Sequence, residues 1–87
     1  MHYVYLLQSE KDKNFYTGYT PDLKERISKH NRGKVKSTAS RTPPKLVYYK
    51  ACYNLHDARA RERYLKSGMG KRYLKNRLKN WLAAVAR

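Results

Sequence analysis

Every position from Tyr3 to Leu7 is apolar, aromatic or β-branched, which predicts a strand covered on both faces. Ser9 to Asn14 is a polar turn. Phe15-Tyr-Thr-Gly-Tyr-Thr20 follows as a second strand, close enough in sequence to pair with the first as an antiparallel hairpin. Gly18 inside it marks a bulge or a place where another group comes close to the backbone. The pattern then turns helical. Leu23, Ile27 and His30 share one stripe, with Arg26 at its edge and Glu25 on the opposite side. Thr20 is the expected N-cap, Pro21 the first helical residue, and the helix runs to about Asn31, before Gly33.

Residues 33 to 44 are basic, rich in Ser and Thr, and without periodicity. A loop of that length in a small domain is a candidate binding loop. Leu46 to Tyr53 reads as a third strand, and Asn54 as the cap of a second helix, with Asp57 three residues later as a weak capping-box acid. Along this helix Leu55, Ala58, Leu65 and Met69 form one stripe, with Glu62 near its middle. The helix is expected to end near Gly68-Met-Gly70. A last helix carries Tyr73, Leu74, Leu78, Trp81, Leu82 and Val85 inward and Lys and Arg outward. The order is β-β-α-β-α-α. It predicts an α/β (α+β) fold: one three-stranded, mainly antiparallel sheet flanked by helices on both faces.

Composition narrows the function. Residues 1–87 make one domain, with 21 Lys and Arg against six Asp and Glu, a formal charge of +15. Such a surplus repels itself and calls for a polyanionic partner, nucleic acid ahead of an anionic membrane. Nine Tyr accompany one Phe and one Trp, which suits base stacking or phenol chemistry, although some rings must be core. Cys52 is the single cysteine, so no disulfide forms within the chain, and no Cys/His cluster has zinc spacing. No apolar run approaches the roughly 18 residues of a membrane span, and the N-terminus lacks a signal peptide's basic region. The expected location is the cytoplasm.

Three polar residues fall on inward helix faces. Arg26 and His30 are four apart and so lie one above the other. Glu62, on an apolar stripe, loses hydration that a cation, a metal ion or hydrogen-bond donors must offset. Each has an ordinary structural alternative: a snorkelling Arg, a hydrogen-bonded core His, and an ion-paired Glu.

Taken together, and in this order along the chain, these features resemble the GIY-YIG nuclease family, in particular its small stand-alone bacterial members. Tyr3-Val4-Tyr5 stands at the first signature triplet and Tyr16-Thr17-Gly18 at the second. The segment from Thr20 to Gly33 resembles the helix carrying the family's Arg and His. Leu46 to Tyr49 resembles its third strand, and Glu62 with Lys66 its metal-binding helix. The resemblance runs from Tyr3 to about Leu78. In the first triplet Tyr3 and Val4 replace Gly and Ile, and Thr17 replaces Ile in the second; strand and phenols are kept. Asn76 is the candidate for a polar residue often found after the Glu, and Asn80 competes with it.

The resemblance implies phosphodiester hydrolysis with catalytic Tyr5, Tyr16, Arg26, His30 and Glu62. Glu62 would hold one hydrated Mg²⁺ or Mn²⁺, since Mg²⁺ needs only one or two carboxylates. Arg26 would neutralise the scissile phosphate with a two-pronged contact. Tyr5 or Tyr16 would accept the water's proton, its pKa lowered from about 10 by neighbouring cations, and His30 would relay a proton or orient the phosphate. Gly18 would let substrate approach the strand, and Lys36, Thr38, Arg41, Lys66 and Asn76 complete the expected substrate contacts. The expected enzyme is a monomeric endonuclease of low sequence specificity, acting on DNA ahead of RNA. The alternative is a nucleic-acid-binding module with little turnover, one variant of which treats the last two helices as a helix-turn-helix reader.

Overall fold

The computed structural model describes residues 1–35 and 44–85. Strand β1 (His2–Ser9) lies in the middle of a three-stranded antiparallel sheet, between β2 (Phe15–Thr20) and β3 (Pro44–Cys52). Central placement explains its composition: Val4, Tyr5, Leu6 and Leu7 are at most 1 % exposed. The hairpin turn is closed by the Ser9 amide donating to the Asn14 carbonyl at 2.9 Å, and Lys13 sits at a positive φ of 63°. On the other side a bulge falls between Leu6, opposite Tyr48, and Leu7, opposite Leu46.

The helices are α1 (Leu23–Asn31), α2 (Leu55–Lys66), α3 (Gly68–Arg77) and α4 (Lys79–Val85). Alternate strand residues face opposite ways. Val4 and Leu6 therefore pack with Ala58 and Leu65 of α2 and Leu74 of α3, while Tyr5 turns to the other face and meets α1. Helices cover both faces, as the pattern predicts.

Four boundaries differ from the sequence reading. The cap of α1 is Asp22, not Thr20: the Asp22 carboxylate accepts from the Glu25 amide, and Thr20 Oγ1 is occupied with the Asp22 backbone. Strand β3 is shifted to Pro44–Cys52, leaving Tyr53 exposed. The apolar stripe of α2 is shorter than its periodicity implies, with Leu55 and Met69 exposed, because Ser67 stops the helix and Met69 belongs to α3. Ser67 Oγ donates to the Tyr64 carbonyl at 2.6 Å and accepts from the Gly70 amide at 3.2 Å, so one residue caps both helices. The expected last helix is two helices, parted at Leu78 (φ −105°, ψ 16°). After that break Trp81 Nε1 donates to Gln8 Oε1 at 3.2 Å, tying α4 to the end of β1.

A candidate active site at the edge of the sheet

The site is built around a phenol that crosses an edge strand. Tyr5 on β1 is paired with Gly18 on β2. A Cβ at Gly18 would overlap the Tyr5 hydroxyl and ring, so glycine is what lets the Tyr5 ring lie over β2. The approach expected for substrate at Gly18 is thus taken by Tyr5, and Gly18 is buried.

Two residues one turn apart on α1 meet that hydroxyl. Arg26 Nε donates to it at 3.2 Å, and His30 Nε2 lies 3.0 Å from it. His30 is fully buried. Burial first, then the adjacent Arg26 charge, pull its pKa down to about 4, so the ring is neutral near pH 7. The assignment that satisfies all three groups has Tyr5 accepting from Arg26 and donating its own proton to Nε2. Burial raises the Tyr5 pKa, and the opposing bond and charge of Arg26 do not cancel that rise. Tyr5 is therefore protonated at neutral pH, contrary to the lowered phenol expected there.

Tyr16 adds a third ring, its centroid 6.4 Å from Tyr5 and 5.5 Å from His30. Unlike Tyr5 it is only half-buried. The Arg26 guanidinium is stabilised in its charged form by the Tyr5 hydrogen bond above all, with Tyr16 contributing. That bond uses Nε, so the terminal amino groups of Arg26 remain the ones suited to forked recognition of a phosphate.

Glu62 arrives from α2, on the other side of the sheet. Its side chain is 14 % exposed, with Arg59 Nη1 at 3.1 Å and Lys66 Nζ at 2.9 Å. Burial pushes its carboxyl up, but Lys66 and Arg59 together outweigh it and hold the pKa below the usual range. The Glu62 charge is felt at the Tyr5 phenol. Four of the five expected residues thus join through ring contacts and hydrogen bonds, while Glu62, on α2, is linked to them only by the small effect of its charge on Tyr5.

Among the described residues no three His, Cys, Asp or Glu side chains cluster as a metal cage. What the donors offer is one ionised carboxylate whose two cationic partners are half exposed, Arg59 also lying over the Tyr19 ring at 4.1 Å. That suits a single hard divalent ion that keeps most of its water. Of the expected substrate contacts, Lys66 is in place beside Glu62. Asn76 and its competitor Asn80 are exposed, on α3 and α4. Lys36, Thr38 and Arg41 lie outside the described residues. Lys71 and Lys75, among the outward cations of the expected last helix, line a groove beside β2. Their spacing of four, beside Leu74 and Leu78, was visible in the sequence.

The chain is similar to known proteins over most of its length. The family model described as the GIY-YIG catalytic domain matches residues 1–79. A UPF0213 protein of Clostridium perfringens is 46 % identical over 67 residues, covering 76 % of this chain and 71 % of that protein. Another, from Pediococcus acidilactici, is 40 % identical over 80 residues, covering 85 % and 81 %. The solution NMR structure of the UPF0213 protein BH0048 from Bacillus halodurans superposes with a TM-score of 0.55 at 41 % identity, covering 86 % of this chain and 82 % of that one.

Proposed function

The chain belongs to the GIY-YIG family, and on that premise we propose that it is a metal-dependent endonuclease that hydrolyses phosphodiester bonds with low sequence specificity. The observation that carries this reading is the fixing of Arg26 through Nε by a buried, neutral Tyr5–His30 pair. A merely solvated Arg needs no such support. A guanidinium held through Nε by Tyr5, with Tyr16 as a further hydrogen-bond partner, is preorganised for the charge that develops on a scissile phosphate.

In this reading Arg26 binds the phosphate and stabilises the charge on its oxygens as water adds and the sugar oxygen departs. Tyr16, half-buried beside Arg26, is the phenol that a water reaches; in its ionised form it takes the water's proton, and the departing sugar oxygen takes one from solvent. Tyr5 is a positioning residue: it holds Arg26, stays protonated because burial raises its pKa, and directs its proton to His30. His30 keeps that acceptor only while it is neutral. Glu62 would hold the single Mg²⁺ or Mn²⁺, which when bound supplies Lewis-acid polarisation of a phosphoryl oxygen. Lys66 and Arg59 guard that carboxylate and have to yield it.

The double ion pair on Glu62 is also the observation that favours a second reading, a nucleic-acid-binding module with little turnover. The two are separated by incubating the protein with labelled single-stranded, duplex and branched DNA and RNA, with and without Mn²⁺, beside Arg26→Lys. The enzyme reading expects metal-dependent cleavage, on DNA ahead of RNA, that falls about a hundredfold or more in Arg26→Lys. Binding without cleavage of any substrate would favour the module.

A further inference from the structure

A groove of about 540 Å³ opens between β2 and helices α2 and α3. Its floor is apolar, formed by Leu65, Leu74 and Leu78. Its rim is cationic, with Lys66, Lys71 and Lys75 contributed by two helices. One wall is the ring of Phe15, 43 % exposed although it is the only Phe in the chain. Tyr16, next along β2, lines the groove while its ring faces the Tyr5–His30 cluster on the opposite side of that edge strand.

We infer that this groove takes an unpaired nucleobase next to the scissile phosphate, so that the enzyme acts on a strand whose bases are unstacked. The inference rests on the nuclease reading and adds the substrate's local form. A nucleotide matches both parts of the groove at once: a flat ring for the apolar floor and Phe15, and phosphates for the lysines. An intact duplex matches only the rim, because its bases are stacked inward and its outer surface is sugar and phosphate. A second copy of the chain is a poor occupant, since at +15 it would bring more positive charge to a rim already cationic. β2 is an edge strand, so a nucleotide whose base lies in the groove can lead its adjacent phosphate around that edge toward Tyr16 and Arg26. Unstacking at the cleavage point is then a condition of positioning, and single strands, flaps and frayed ends meet it without the energy that opening a duplex demands.

The test is fluorescence anisotropy in EDTA, where binding is read without turnover. The probes are a labelled single strand, the same sequence as duplex, and an abasic strand of equal length. The single strand should bind about tenfold or more tighter than the duplex and the abasic strand, as loss of base stacking dictates. Phe15→Ala should lose a similar factor for the single strand with an unchanged salt slope. Phe15→Leu, which keeps the apolar bulk and protects the fold, should lose much of it too. Lys71→Gln with Lys75→Gln should instead lower the slope of log affinity against log salt by about 1.4, at 0.7 per single-strand phosphate contact. Equal binding of all three probes, or a Phe15 variant that melts normally and binds as tightly as the parent, would overturn the groove assignment and leave the nuclease reading standing. Failure to bind any nucleic acid would overturn both.

Discussion

At the scale of single residues, His30 ties the site to stability. Its pKa is about 4 in the folded protein and 6.5 in an unfolded chain, so between those values the unfolded state takes up a proton that the folded state refuses. The sign follows: stability is full above about pH 6.5 and declines as pH falls toward 4, by about 3 kcal/mol in all. His30→Gln, whose amide oxygen still accepts from Tyr5, should flatten that part of a melting-temperature profile; an unchanged slope would show that another group titrates there. Tyr5→Phe should cost about 1–3 kcal/mol, because it leaves the buried His30 Nε2 without its donor, and it should lower activity by releasing Arg26. Helical spacing placed Arg26, His30 and Glu62 on inward faces, and the family resemblance was what made them site candidates. The use of Gly18 was not: which residue lies over it depends on strand register, and only the pairing of Tyr5 with Gly18 shows that the group approaching the backbone is the protein's own phenol.

At the scale of elements, short-range pattern predicted type and order well and ends less well. The doubly apolar run of β1 marked a central strand, and the stripes of α1 and α2 marked the faces that carry chemistry. Caps were decided by side-chain geometry that a pattern does not contain. Asp22 reaches the Glu25 amide, so Asp22→Ala should destabilise the fold by about 1 kcal/mol. The break at Leu78 escaped notice because apolar spacing continues across it, and its cause is long-range: Trp81 is drawn to Gln8. The joint between α2 and α3 is tighter still. A Cβ at Gly70 would collide with backbone at Tyr64 and Leu65, which cannot move as a side-chain tip can. Gly70→Ala should therefore destabilise by about 1–3 kcal/mol or more, and chemical denaturation would measure it. A neutral result would mean that the two helices slide apart easily, and with them the Lys71 side of the groove.

At the scale of the whole molecule, the charge of +15 outweighs any single contact. Exposed Lys and Arg on α2 and α3 stand beside a site that needs a phosphate, so binding should be driven by counterion release. On duplex DNA log affinity should fall linearly with log salt, by about 0.9 for each phosphate neutralised. A nearly flat response would contradict an electrostatic interface. The charge was plain from composition. The sequence reading placed the positive surface on the loop from Lys34 to Lys45 and on the last two helices; within it Lys71 and Lys75, on α3, line the groove beside β2, and residues 36 to 43 lie outside the described residues.

The central claim is that Glu62 serves chemistry and not only the fold, and Glu62→Gln tests it most directly, with cleavage rate and melting temperature read on the same sample. Arg59 and Lys66 are 50 % and 54 % exposed, so removing the carboxylate charge strands no buried cation, and stability should change by less than about 1 kcal/mol. Cleavage should nevertheless fall by orders of magnitude, because the ion and its polarising charge lose their one carboxylate, while nucleic-acid binding holds or tightens. A variant that melts well below the parent yet cleaves at the parental rate in its folded fraction would contradict the assignment and leave Glu62 a structural ion-pair partner.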